Sequence, residues 1–226
     1  MRPFRHFLIA ATAASPLAML GAPAAAQEND FNVWAAQVIN IEASEEVRIR
    51  LEAQERFTDD ASRLGQLLLR PAVGYQVNDG VSVYAGYAYV LTDPEGPGQS
   101  NEHRFFQEVN LRLLKTDTVT ITSRNRLEQR TLEEASGTAW RYRNQIALRA
   151  KISDKNNLVI YTEPFIGINE TGFQRDGVGV WRNFVGVSVP LGEKFSLTPG
   201  YLNQYVVRTG EDLTQHIANV SISARF

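Results

Sequence analysis

The chain has no cysteine, which excludes disulfides and thiolate chemistry. A long apolar run is missing as well: beyond residue 26 nothing approaches the roughly 18 uninterrupted apolar residues that a bilayer-spanning helix needs. Any membrane span must therefore be built from strands, because a closed β-barrel is the other structure that satisfies every backbone polar group in lipid. There is no basic excess. The sequence carries 23 Lys+Arg against 25 Asp+Glu, and without the two arginines of residues 1–26 the balance is 21 against 25, a net charge of −4. That balance argues against nucleic acid as a partner. Histidine is scarce: of three, only His103 and His216 lie beyond the amino-terminal segment.

Residues 1–26 read as a secretory signal peptide. Arg2, Arg5 and His6 form a positive start, residues 7–20 are mostly apolar, and Ala24, Ala25 and Ala26 offer a small-residue cleavage site. The expected mature chain, from Gln27, is a single domain.

What the mature chain does have is period-two alternation. Val47, Ile49, Leu51 and Ala53 alternate with Arg48, Arg50, Glu52, Gln54 and Arg56, and a helix would scatter those arginines around its circumference. The last segment repeats the pattern, with Ala218, Val220, Ile222, Ala224 and Phe226 on one face and Asn219, Ser221, Ser223 and Arg225 on the other. The same template predicts strands near 46–57, 64–77, 81–91, 103–114, 118–131, 139–152, 158–168, 179–190, 195–207 and 215–226. The expected fold is all-β, a single antiparallel up-and-down transmembrane barrel over 46–226 with ten strands, or twelve in the alternative. Short turns, including Asn78-Asp79-Gly80, alternate with longer loops at 58–63, 92–102, 132–138, 169–178 and 208–214, as short periplasmic turns and longer extracellular loops do in bacterial barrels. An even count puts the first barrel strand and the carboxyl terminus at one rim. Residues 27–45 stay open between an extra strand, a lumen plug and a periplasmic arm, since Trp34, Ala36 and Val38 alternate with Val33, Ala35, Gln37 and Ile39.

One face of these strands carries the aromatics that membrane interfaces favour: Tyr75, Tyr87, Tyr89, Trp140, Tyr142, Trp181, Phe195, Tyr201 and Phe226. A soluble barrel with that face as its core is the alternative, and the arginine-rich opposite face counts against it. That opposite face, turned inward, gathers a charge network of Arg48, Arg50, Glu52, Arg104, Glu108, Arg112, Arg124, Arg126, Glu128, Arg130, Arg141, Arg143, Arg149, Glu163 and Arg182. Arg56, Arg70, Lys151, Arg225 and Glu102 fall on it too. Arginine with glutamate is one way to fill a polar lumen. Rings of arginine also attract anions, and the cationic excess calls for counterions or water. The loops have the opposite sign, with Asp59, Asp60, Asp93, Glu95, Glu133, Glu134, Glu170, Asp176, Glu211 and Asp212 against Arg63, Arg175 and Arg208. Such acids keep a rim soluble, and divalent cations could bridge them to lipopolysaccharide phosphates.

Catalytic combinations are few. Ser100-Asn101-Glu102-His103 holds hydrolase residue types, but consecutively rather than on separate segments. Asp59, Asp60, Asp212 and His216 resemble the set of outer-membrane aspartate-histidine proteases only loosely, because Asp212 and His216 are four residues apart. No catalytic residue, metal site or cofactor is expected. Asn125 and Asn144 fall on the outward parity and should face each other across a loop, either bonded mutually or as a subunit contact.

The stretches Glu102-His103-Arg104-Phe105-Phe106-Gln107, Arg124-Asn125-Arg126-Leu127-Glu128-Gln129-Arg130 and Trp140-Arg141-Tyr142-Arg143, with Trp34 near the mature start, resemble the recurrent blocks of the family catalogued as domain of unknown function 2490. The resemblance covers nearly the whole mature chain. It implies an outer-membrane barrel of unknown activity and carries over no catalytic residue. The ending at Phe226 also resembles the signal read by the barrel assembly machinery. The expectation is a monomeric protein of the Gram-negative outer membrane, surrounded by lipid and lipopolysaccharide, that is structural or a narrow channel with a cationic lumen. The alternative is a binder of, or an enzyme acting on, an anionic small molecule or lipid.

Overall fold

A computed structural model describes residues 28–93 and 98–226. The expected signal segment 1–26 and the loop residue Glu95 lie outside them. Eleven strands form one closed barrel: β1 Glu28–Glu42, β2 Val47–Thr58, β3 Arg63–Asn78, β4 Val81–Thr92, β5 Ser100–Lys115, β6 Val119–Leu132, β7 Ala139–Lys151, β8 Asn157–Gly167, β9 Gly177–Leu191, β10 Phe195–Val206 and β11 Leu213–Arg225. Consecutive strands pair antiparallel, and the barrel is closed by β1 and β11, which run parallel from Glu28↔Leu213 to Asn40↔Arg225.

This corrects the expected ten or twelve strands. The ten strands read from 46 onward all form, with ends within three residues of those expected. The eleventh is β1, whose alternation holds over its described side chains: Asn32, Trp34 and Ala36 are buried, while Phe31, Gln37 and Ile39 are exposed. An odd number closes because the seam is parallel, with slanted but continuous hydrogen bonds. The seam ends where Glu42 N–H donates to Phe226 O at 2.8 Å and Phe226 N–H to Asn40 O at 2.9 Å. The first strand therefore starts at the rim opposite the carboxyl terminus, not at the same rim as an even count requires.

Side-chain parity follows the pleat. The outward face exposes large apolar residues on every strand but β6, among them Val73 at 59% and Phe105 at 60%. Soluble monomers rarely expose apolar patches on this scale. Inward, Phe184 lies over Gly186 and Gly200, which face each other on β9 and β10. A Cβ on Gly200 would come within 2.5 Å of Val185 O and 2.4 Å of the Phe184 ring. Glycine at this pair is what lets the ring lie flat against the wall, stacked on Tyr161 at 4.9 Å.

Candidate functional site

The interior is built by cross-strand charge pairs. Glu108 on β5 faces Arg126 on β6, and the arginine donates through Nε and Nη2 to Glu108 Oε2 at 2.8 and 2.5 Å. Arg50 reaches the other oxygen from β2 at 3.0 and 3.1 Å. Glu128 faces Arg141 and receives it at 2.5 Å, and accepts Arg143 at 3.0 Å. Arg143 also donates to Glu163 at 2.8 Å, as does Arg124 at 2.8 Å. Two further clusters complete the set: Arg104 and Arg130 share Glu102, and Arg70 holds Glu52 at 2.7 Å.

Where arginines stand directly opposite each other, a shared carboxylate lies between them. Arg126↔Arg143 share Glu128, with Arg126 the more distant at 3.7 Å, and Arg104↔Arg130 share Glu102. Like charges at that spacing repel, so the carboxylates are what make the ladder tolerable.

Among the described residues Arg56 and Arg182 form no ion pair and are held by amides and rings instead. Arg56 donates to Gln54 Oε1 at 2.7 Å and to Gln66 Oε1 at 2.7 Å. Arg182 donates to Gln204 Oε1 at 2.7 Å. Between them stands Trp34, with Arg56 at 3.9 Å and Arg182 at 4.8 Å from its ring centre. Arg182 continues onto Phe165 at 4.5 Å, and Arg143 lies over the same ring at 4.0 Å. The row Arg56, Trp34, Arg182, Phe165, Arg143 thus crosses the bore from β2 to β7. Sequence reasoning missed the central place of Trp34 and Phe165. The alternation of residues 33–39 set Trp34 apart from Val33, Ala35, Gln37 and Ile39, but it did not say which set faces inward.

The bore is filled at this height. Asn32, Leu68, Val90, Phe106, Glu108, Arg126, Glu128, Glu163, Leu202 and Ile217 are all inward and less than 2% exposed or close to it, and they come from eight strands around the wall. The remaining space is divided. Two cavities lie toward the loop rim, one of 340 Å³ beside Arg130, Arg141, Phe173 and Arg175, and one of 290 Å³ beside Trp34, Arg56, Arg63 and Gln204. A third, of 410 Å³, lies toward the turn rim. The 168–176 loop folds onto the mouth: Gln174 accepts from Arg130 at 3.0 Å and donates to Trp140 O at 2.8 Å. Arg48, Arg112 and Arg149 stand apart from the network near the turn rim; Arg48 donates to Ser44 O at 2.6 Å, and Arg112 and Arg149 are exposed.

The outward face brings the histidines to tyrosines. His103 Nδ1 lies 2.5 Å from Tyr87 Oη and its Nε2 lies 3.0 Å from Glu133 Oε1. Hydrogen bonds from His103 and then from Asn101 hold the Glu133 carboxyl below the usual carboxylate range. His216 meets Tyr201 at 2.6 Å, whereas Asp212 is bonded to Tyr205 Oη and to the Arg208 N–H, which lower its pKa. Neither sequence combination assembles. Glu102 and His103 point to opposite faces, and Asp212 and His216 have different partners. Asn144 donates to Asn125 Oδ1 at 2.8 Å, and Tyr142 donates to the same oxygen at 2.7 Å. Among the described residues no group of three or more His, Asp or Glu could hold a metal ion.

Residues 31–215 match the family described as protein of unknown function DUF2490. An uncharacterized protein of Methylorubrum extorquens is 34% identical over 182 residues, which cover 77% of this chain and 79% of that protein. Among solved structures, the NanC porin superposes with a TM-score of 0.50 at 10% identity, covering 82% of this chain and 94% of the porin. At that identity the likeness is one of fold.

Proposed function

The chain belongs to the DUF2490 family of proteins of unknown function, and we propose that it is an outer-membrane β-barrel whose bore is closed at mid-height. On this reading it is a structural element of the envelope, not an open channel. The export-like segment 1–26, the apolar exterior with its aromatics and the alternation of short turns with longer loops support that location.

The observation that carries the closed bore is the row of rings and guanidiniums from Arg56 to Arg143, set in a layer of inward side chains that water barely reaches. An open pore would leave its inward residues wet. Here Arg126, at the centre of the layer, is 1% exposed. Arginine suits this packing because its planar fork bonds two carboxylate or amide oxygens and stacks on rings without giving up its charge.

The refolded protein in planar bilayers is expected to show no steady conductance; a stable, ion-selective current would overturn the reading. Arg56 lines both the 290 Å³ and the 410 Å³ cavities, with Trp34 bounding the first and Arg182 the second. Replacing Trp34 and Arg182 together by alanine should join the two and let current appear.

A further inference from the structure

We infer that the turn-side cavity is a binding site for a small multivalent oxyanion, a molecule bearing two or more carboxylate or phosphate charges. The inference goes beyond the closed bore: the site needs only its own walls and stands or falls apart from conductance.

The first ground is charge. Ten interior arginines (Arg50, Arg56, Arg70, Arg104, Arg124, Arg126, Arg130, Arg141, Arg143 and Arg182) meet five carboxylates, Glu52, Glu102, Glu108, Glu128 and Glu163. The imbalance is concentrated at this cavity, whose walls include Arg50, Arg56, Arg70, Arg124, Arg143 and Arg182 against Glu52 and Glu163. Of these, Arg56 and Arg182 have no carboxylate at ion-pair distance among the described residues; an uncompensated guanidinium in a confined space is costly, and an anion is the group that removes the cost.

The second ground is unfilled donors. Arg50 donates both terminal nitrogens to Glu108 and Arg124 donates Nη2 to Glu163, yet the Nε of each is buried and has no partner among the described residues. Buried donors are normally satisfied. Oxygen acids are the acceptors that guanidinium forks fit best.

Size and access agree. A volume of 410 Å³ is within the range of small-molecule sites and exceeds what a single halide fills. Thr198, Asn219 and Ser221 supply hydroxyl and amide groups on one wall, and Tyr161 stacked on Phe184 supplies a flat apolar one. Toward the turn rim the inward Arg112, Arg149 and Arg225 are exposed, so the inner wall there is wet and positive, while the turns themselves carry acids and lysines in near balance. The acidic loops stand at the other rim, where an anion would be repelled. A positive inner wall raises the local concentration of anions beside it.

The test is calorimetric titration of the refolded barrel in neutral detergent, with pyrophosphate and citrate as separate probes in a chloride buffer. Saturable binding of either probe at one site is expected, and the tighter of the two assigns the acid. Arg124→Gln leaves Glu163 with Arg143, and Arg50→Gln leaves Glu108 with Arg126, so both variants keep every carboxylate paired. Each should weaken binding at least tenfold, in line with the loss of a charged hydrogen bond. Should either fail to fold, Asn219→Leu fills the cavity without touching an ion pair and should abolish binding. Arg175→Gln, in the loop-side cavity, should leave it unchanged. No binding of either probe, binding indifferent to Asn219→Leu, or an equal loss in Arg175→Gln would overturn the proposal.

Discussion

Glu128 is less than 2% exposed and accepts from Arg141 and Arg143, with Arg126 at 3.7 Å. A glutamine there keeps the shape and one acceptor but removes the carboxylate shared by the facing Arg126 and Arg143. Breaking a buried pair from one side leaves charge without a counterion, which costs about 3–5 kcal/mol. Glu128→Gln is therefore expected to lower the temperature at which the folded barrel unfolds to its slower-migrating form on a gel. Glu133→Gln should leave that temperature nearly unchanged, because Glu133 lies at the loop rim, exposed, and bonded to a half-exposed histidine. Equal effects of the two changes would mean that the interior pairs do not hold the wall together.

At the scale of the strand, the seam between β1 and β11 is the weakest link by type, since parallel pairing is slightly less stable per residue than antiparallel. Val33 and Ala218 are partners in its register and both point outward. Cysteines at these two positions, in a chain with no others, should oxidise to an intramolecular disulfide. Neighbouring strands lie about 4.8 Å apart, within reach of a disulfide. The oxidised form should unfold at a higher temperature than the reduced one; failure to crosslink in the folded barrel would place β1 elsewhere.

The same strand marks how far the sequence could be read. Ten strands and their parity were legible because most of them alternate polar residues, often arginine, with apolar ones, a contrast only two environments explain. β1 alternates Trp34, Ala36 and Val38 with Val33, Ala35 and Ile39, apolar on both faces, so its period was visible but its role was not. The facing of Asn125 and Asn144 was legible from symmetry about a loop, whereas the sharing of Glu128 by Arg126 and Arg143 was not. The row through Trp34 and Phe165 was not, because it joins β1 and β2 to β7, β8 and β9 across the bore, and alternation along a strand says nothing about what lies opposite. The inward fold of the 168–176 loop escaped for a related reason. Its anchor, Gln174, is a neutral residue whose distant partners, Arg130 and Trp140 O, are set only once the barrel closes.

For the whole molecule, the odd strand number fixes the rim at which β1 begins. Ten crossings separate the start of β1 from the start of β11, and the two starts pair with each other at the loop rim, while Phe226 ends at the turn rim. In outer-membrane barrels the short turns face the periplasm. The described chain therefore starts outside the cell on the proposed placement, and the anion site faces inward to the periplasm. An even-stranded barrel makes the opposite statement, with both ends in the periplasm, so the two are separable in intact cells. An epitope inserted just before Glu28 should bind antibody on unbroken cells, whereas one placed in the Asp79–Gly80 turn should be reached only after the outer membrane is permeabilised. If both epitopes stayed hidden until permeabilisation, β1 would not span the wall in the membrane. The parallel seam, the Trp34 row that depends on it and the closure of the bore would then fall together, because each needs β1 between β2 and β11.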